Sequence, residues 1–152
     1  MKITGELAMG LAALVQVHAT ILQQLRVHRN TCKLWGYQKL FDKISSHRED
    51  VSDHLDSLIL RMLSAEINFD LQNINKLNIG QTVEEIFVSD REMAESCKEV
   101  ALKLSNIANQ NIDVRQLTEK IVLLQTAHIN FTGQQLELVR QMGTQLYLAT
   151  RC

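Results

Sequence analysis

The sequence predicts an all-α protein, a four-helix bundle with one long crossover and a short C-terminal helix. Three observations carry this. The 152 residues contain no proline and only six glycines, so little interrupts long helices. Apolar residues recur at three- and four-residue steps through four long segments. Short turns separate the first two segments and the last two, with a longer polar connector between the pairs.

The first segment covers about residues 5–34, with Leu7, Leu11, Leu14, Val15, Ile21, Leu22 and Leu25 on one stripe. Gly36, in Leu34-Trp35-Gly36-Tyr37, suits a helix C-cap or tight turn. The second segment runs from about 38 to 65 and turns Leu40, Phe41, Ile44, Val51, Leu55, Leu58, Ile59, Met62 and Leu63 inward. Residues 68–81 form the Asn-rich connector and include Gly80. The third segment, about 82–109, carries Val83, Ile86, Phe87, Met93, Cys97, Val100, Ala101, Leu104 and Ile107. A turn through Asn109 and Asn111 offers Asp113 as the N-cap of a fourth segment, about 114–142, which Gly143 ends. Residues 144–152 add the short terminal helix. The whole chain, 1–152, reads as one domain. Helices of roughly 28 residues are about 42 Å long, and the connector is long enough to join two antiparallel hairpins across the bundle. That connectivity is the ferritin-like arrangement.

Composition excludes several classes. Sixteen Lys and Arg against 17 Asp and Glu leave a formal charge of −1, which removes the main electrostatic reason for a nucleic-acid or acidic-membrane partner. No run of apolar residues approaches the roughly 18–20 that a membrane span needs. Met1 to Glu6 turns polar too early for a secretory leader. Cys32, Cys97 and Cys152 are odd in number and far apart, against a disulfide framework and for a reducing, cytoplasmic compartment.

Three histidines fall on inward stripes. His18 lies on Leu11–Leu14–His18–Leu22–Leu25, His54 on Val51–His54–Leu58–Met62, and His128 on Ile121–Leu124–His128–Phe131. Buried imidazoles need partners, so three converging near one depth are less easily dismissed than one. His28 and His47 read as surface or interface residues. A di-iron bundle uses one Glu from each of two helices and Glu-x-x-His from each of the others. The frames here are Val51-Ser52-Asp53-His54 and Gln125-Thr126-Ala127-His128, both without the glutamate. Asp90 lies on the inward stripe of the third helix and reads as a polar contact rather than a ligand.

The sequence resembles bacterioferritin over essentially its whole length. The most specific match is Lys76-Leu77-Asn78-Ile79-Gly80 followed by Val83-Glu84-Glu85. Trp35-Gly36, Arg61, Glu66, His128-Ile129 and Met142-Gly143-x-Gln145-x-Tyr147-Leu148 match as well. The resemblance implies a hollow shell of about 24 subunits that stores ferric mineral, with haem between two-fold-related subunits. It also places the family's sites on this chain. The four carboxylate positions of the ferroxidase centre fall on His18, Val51, Ala94 and Gln125, while both histidines are kept as His54 and His128. Its surrounding aromatic positions fall on Leu25, Leu58 and Phe131. The inner-surface iron position keeps Asp50 but has Ser46 for histidine. The axial haem methionine falls on Ser52, and Met62 on the same helix is about 15 Å further along the axis. Glu66, Asn130 and Glu137 match side-channel positions, and Leu146 and Ala149 replace polar residues of the four-fold channel.

The expectation is an iron-storage shell subunit without its own ferroxidase centre. It holds no haem unless a partner subunit supplies the ligand, and it assembles as a homomer or with an intact bacterioferritin subunit. The alternatives are an active ferroxidase using other residues, a cage with the mononuclear site His18, His54, His128 and Gln125, and a helical interaction protein that has lost iron storage.

Overall fold

The computed structural model describes residues 5–152; Met1 to Thr4, on which the leader argument partly rests, lie outside them. The elements are α1 (Gly5–Leu34), α2 (Gln38–Ser64), α3 (Val83–Ile107), α4 (Ile112–Met142) and α5 (Thr144–Ala149). Helix α1 packs chiefly on α2 and α3 on α4, and α1 also lies against α3. The α2–α4 seam is the most sparsely packed. The two hairpins and the crossover are those the connector lengths predict.

Buried residues on every long helix follow alternating three- and four-residue steps. On α1 they run Leu11, Leu14, His18, Ile21, Leu25, His28, Cys32, and on α2 Leu40, Ile44, His47, Val51, Leu55, Leu58, Met62. That is the spacing of shallow-angle helix packing, in which each turn offers one or two side chains to the shared core. The α1–α2 turn closes through Gly36 at φ 88°, with the Tyr37 N–H donating to Cys32 O at 2.9 Å. A left-handed residue after a helix end is easiest for glycine, as the sequence predicts. At the end of α2 a glutamate, Glu66, takes the same conformation at φ 57°. Thr82 caps α3 by accepting from the Glu85 N–H, and the Glu85 carboxylate in turn accepts from the Gln81 N–H.

Two expectations are corrected. Helix α4 begins at Ile112, two residues before the start that an Asp113 cap implies. Asp113 sits inside the first turn, where its carboxylate pairs with Arg61 and accepts from the Val114 N–H. The other concerns α1, which does contain an 18-residue window of mean hydropathy 1.4, long and apolar enough to cross a membrane. In the fold this helix buries His18, Gln24 and His28 along with its leucines and packs on two other helices, the pattern of a bundle core helix.

The crossover is irregular but anchored. Every fourth residue of α1 from Gln16 to His28 is polar, and each reaches the connector side of the bundle. The Gln16 amide donates to Asn75 Oδ1 at 3.2 Å. The Asn75 N–H donates to Thr20 Oγ1 at 3.0 Å, the Asn78 N–H to Gln24 Oε1 at 3.0 Å, and the Gly80 N–H to His28 Nε2 at 3.0 Å. A Cβ on Gly80 would stand 2.5 Å from the Ile86 backbone nitrogen, so only glycine fits where the crossover enters α3.

Candidate metal centre

The inward faces of all four helices meet in a polar layer. Its helices contribute His18 from α1, His47 and His54 from α2, Asp90 and Ala94 from α3, and Gln125 and His128 from α4. All are buried except His54, which is half-buried.

The His18 Nδ1 lies 2.8 Å from the Leu14 carbonyl oxygen, so it carries the proton and donates. Its Nε2 is then a bare acceptor, buried with no partner. Burial holds the His18 pKa down to about 4, with nearby His54 adding to the effect against the Leu14 bond. His47 and His128 stack face to face, centroids 3.6 Å apart and planes 4° from parallel. Burial pushes His47 down to about 2, aided by His128, Lys43 and His54. Burial likewise lowers His128 to about 4, although Asp90 opposes this. His54 is lowered by burial while Asp50 and Asp53 pull it back up. Near neutral pH the four imidazoles are therefore uncharged.

Orphaned atoms concentrate here. Buried and unpartnered are His18 Nε2, His54 Nδ1, His128 Nε2 and both amide atoms of Gln125. Native interiors leave few such atoms. Gln125, His128, His47 and Asp90 also line a cavity of about 10 Å³, closed by Ile21, Leu25, Met93 and Ala94. That volume admits about one water-sized particle.

Asp90 belongs to the crossover anchor. Its Oδ1 accepts from His28 Nδ1 at 2.7 Å and from the Gln24 amide at 2.9 Å. Because the Gly80 N–H donates to His28 Nε2, the His28 proton sits on Nδ1 and points at Asp90. The polar-contact reading of Asp90 is the one its geometry supports.

Two histidines are corrected from surface to core. His28 is 0% exposed and His47 is 7% exposed. The heptad steps 25–28–32 and 44–47–51 place both on the buried seams, and Val51–Leu55–Leu58 leaves His54 at the seam's edge. The ring against His128 is thus His47, not His54. Parallel stacked rings hold their nitrogens side by side rather than aimed at one point. Among the described residues no group of three or more His, Cys, Asp or Glu is arranged to hold a metal ion.

Val51 and Ala94, where the resemblance sets two of the four carboxylates of a two-iron centre, are hydrocarbon, 0% and 2% exposed. The two-iron centre does not fit. Two Fe(II) ions carry four positive charges, and an uncompensated buried ion costs several kcal/mol. The resemblance sets the haem ligand at position 52. Ser52 offers only a hydroxyl, and Met62 is fully buried in the core. Ser46 and Asp50 are exposed on α2, and Leu146 and Ala149 are exposed on α5. Cys32 and Cys97 are buried and Cys152 is exposed.

Because both amide atoms of Gln125 are orphaned, Gln125→Leu is expected to stabilise the metal-free protein by about 1–3 kcal/mol. Urea unfolding checks it; a loss of stability would show that the amide has partners.

The sequence reading missed the polar ladder Gln16, Thr20, Gln24 and His28. Its signal was present as a four-residue polar period beside the apolar stripe.

Comparison with known proteins agrees with the architecture. The family model for the ferritin-like domain matches residues 9–142. Bacterioferritin of Brucella melitensis is 27% identical over 133 residues, covering 83% of this chain and 80% of its own. A bacterial ferritin of Synechocystis is 27% identical over 151 residues, covering 92% and 96%. The structure of Rhodobacter capsulatus bacterioferritin, described with a metal-free dinuclear site and a haem iron, superposes with TM-score 0.96 at 21% identity. It covers 100% of this chain and 96% of its own, a likeness that speaks for the fold. With a ferritin-like domain matched across nearly its whole length and bacterioferritins among its relatives, the chain belongs to the ferritin family of iron-storage proteins.

Proposed function

We propose that this chain is a cytoplasmic iron-storage shell subunit of bacterioferritin type that lacks a ferroxidase centre of its own. It assembles with about 23 other copies, or with intact subunits, into a closed shell of about 24. The observation that carries the reading is the content of the polar layer. Valine and alanine occupy two carboxylate positions, neutral histidine and glutamine the other two, and the space left admits about one atom rather than two metals roughly 3.5–4 Å apart. Iron is the cargo, and its oxidation falls to a partner subunit or to solution chemistry.

Assembly is supported by exposed apolar side chains spread over the bundle, including Met9, Leu34, Leu60, Leu63 and Leu123, each more than half exposed. Mixed shells test the proposal. Their Fe(II) oxidation rate is expected to scale with the fraction of intact subunit, reaching background in the homomer. A rate independent of that fraction, or light scattering showing only monomer in both preparations, overturns it.

The haem prediction follows from Ser52. Homomeric protein purified from haem-replete cells is expected to show no Soret band. A band corresponding to about one haem per two subunits would mean that a ligand outside position 52 serves.

A further inference from the structure

We propose that the α1–α2 face carries a binding site for a tetrahedral oxyanion of the phosphate class, built from Arg26 and Arg29 of α1 and Ser45 and Arg48 of α2. The site lies outside the polar layer and does not depend on the loss of the two-iron centre.

Two cross-helix contacts fix the register. The Arg48 Nε–H donates to the Leu22 carbonyl oxygen at 3.0 Å. The Arg29 guanidinium carbon stands 5.8 Å from the centre of the Phe41 ring, and Lys33 Nζ stands 5.0 Å from the same ring. Antiparallel helices of equal rise keep one register, and both contacts belong to the same one. Between them, Arg26 comes level with Ile44 and Ser45. The steps 22–26–29–33 on α1 and 41–45–48 on α2 are three or four residues, so each set shares one flank. The opposite flank of α2 turns to α4, where Lys43 lies over the Phe131 ring.

The positive charge on this flank is uncompensated. Among the described residues no ion pair uses Arg26, Arg29, Lys33 or Arg48. Asp42 and Glu49 are exposed on α2, and the Asp42 carboxylate accepts from the Gln38 amide instead. Outside the polar layer, the buried side-chain atoms of the described residues without a hydrogen-bond partner are Arg29 Nε and Ser45 Oγ. A helical serine commonly turns its hydroxyl to the carbonyl one turn back, as Ser57 and Ser64 do at 3.2 and 2.9 Å. The Ser45 hydroxyl makes no such bond. Guanidinium forks match phosphate oxygens with paired N–H donors, and a free serine hydroxyl adds another. An anion held there also relieves the repulsion among three like charges. Arg48 already feels that repulsion: burial, then Arg26 and Arg29, hold it below the ordinary guanidinium range.

The test uses the purified full-length protein in phosphate-free buffer of low ionic strength. Calorimetric titration with inorganic phosphate is expected to saturate at about one anion per subunit, with sulfate competing and chloride competing far more weakly. Glycerol 3-phosphate, titrated in parallel, separates the sources. Equal or tighter binding of the monoester assigns the site to a phosphoryl group on a larger molecule, and binding of inorganic phosphate alone assigns it to the free ion. Arg26→Gln and Arg29→Gln are each expected to weaken binding at least about tenfold, and Ser45→Ala about threefold. Arg48 stays in place, since its Nε also holds the Leu22 carbonyl. Arg26→Gln is further expected to raise the unfolding midpoint of the anion-free protein, because it removes repulsion and breaks no ion pair; an arginine with a purely structural role would lower it. No saturable binding of either probe, or binding unmoved by all three substitutions, overturns the proposal. So does a structure of the assembled protein in which a neighbouring subunit's carboxylate pairs with Arg26 and Arg29.

Discussion

Acidifying the metal-free protein from about pH 7 to about pH 5 is expected to cost several kcal/mol of folding stability. Folding depresses the pKa of His18 and His128 from 6.5 to about 4 and of His47 to about 2. The unfolded chain therefore binds more protons than the folded one below about pH 6.5, and stability falls as pH falls through that window. Above the window the three groups are neutral in both states and contribute no pH dependence. Each such histidine contributes a slope of up to about 1.4 kcal/mol per pH unit, continuing down to its folded value. His47, with the lowest value, keeps contributing after the other two have titrated. The check is urea unfolding across this range on wild type and on His47→Leu, which is expected to flatten the profile by about one proton's slope. A stability constant between about pH 7 and pH 5 would mean that the imidazoles are hydrated or partnered in solution.

Asp90→Ala is expected to destabilise the fold by about 3–5 kcal/mol, the cost of removing one member of a buried, hydrogen-bonded polar pair. The substitution strips His28 Nδ1–H and the Gln24 amide of their common acceptor. Those two side chains hold the Gly80 and Asn78 N–H groups through their other atoms. The damage is therefore expected to reach the crossover. Hydrogen exchange at Asn78 and Gly80 should accelerate more than exchange in the centre of α4. Asp90→Asn, whose amide oxygen still accepts, should lose less. An unchanged unfolding midpoint, or crossover amides that exchange as in wild type, would contradict the anchor.

The architecture was legible because the chain carries few competing signals. With no proline and an unbroken apolar period, the helix limits follow from Gly36, Gly143 and the polar connectors. The start of α4 was not legible to the residue, because Asp113 is an acceptable cap whose carboxylate is drawn instead to Arg61. The site was half legible. His18, Gln125 and His128 were placed correctly in the core. The stripe from Val51 to Leu58 can pass through residue 54 or 55, which one helical step separates by about 100°, and the core takes Leu55, while His47 lies on the same seam four residues before Val51. His28 lies just under one turn beyond Leu25, the end of the apolar stripe used to orient α1, and its Nδ1 meets Asp90, a partner 62 residues away. The ladder from Gln16 to His28 binds backbone groups of an aperiodic segment, and no pattern in the connector announces that.

The most direct measurement is anaerobic loading of the purified homomer with Fe(II), followed by oxygen and absorbance of the ferric product. The account predicts oxidation at the buffer rate, without saturation. It also predicts that His18→Glu, Val51→Glu, Ala94→Glu and Gln125→Glu must be combined before activity returns, since any one leaves the charge of two metals largely uncompensated. Rapid oxidation in the wild-type homomer, saturating at about two Fe(II) per subunit, would contradict it.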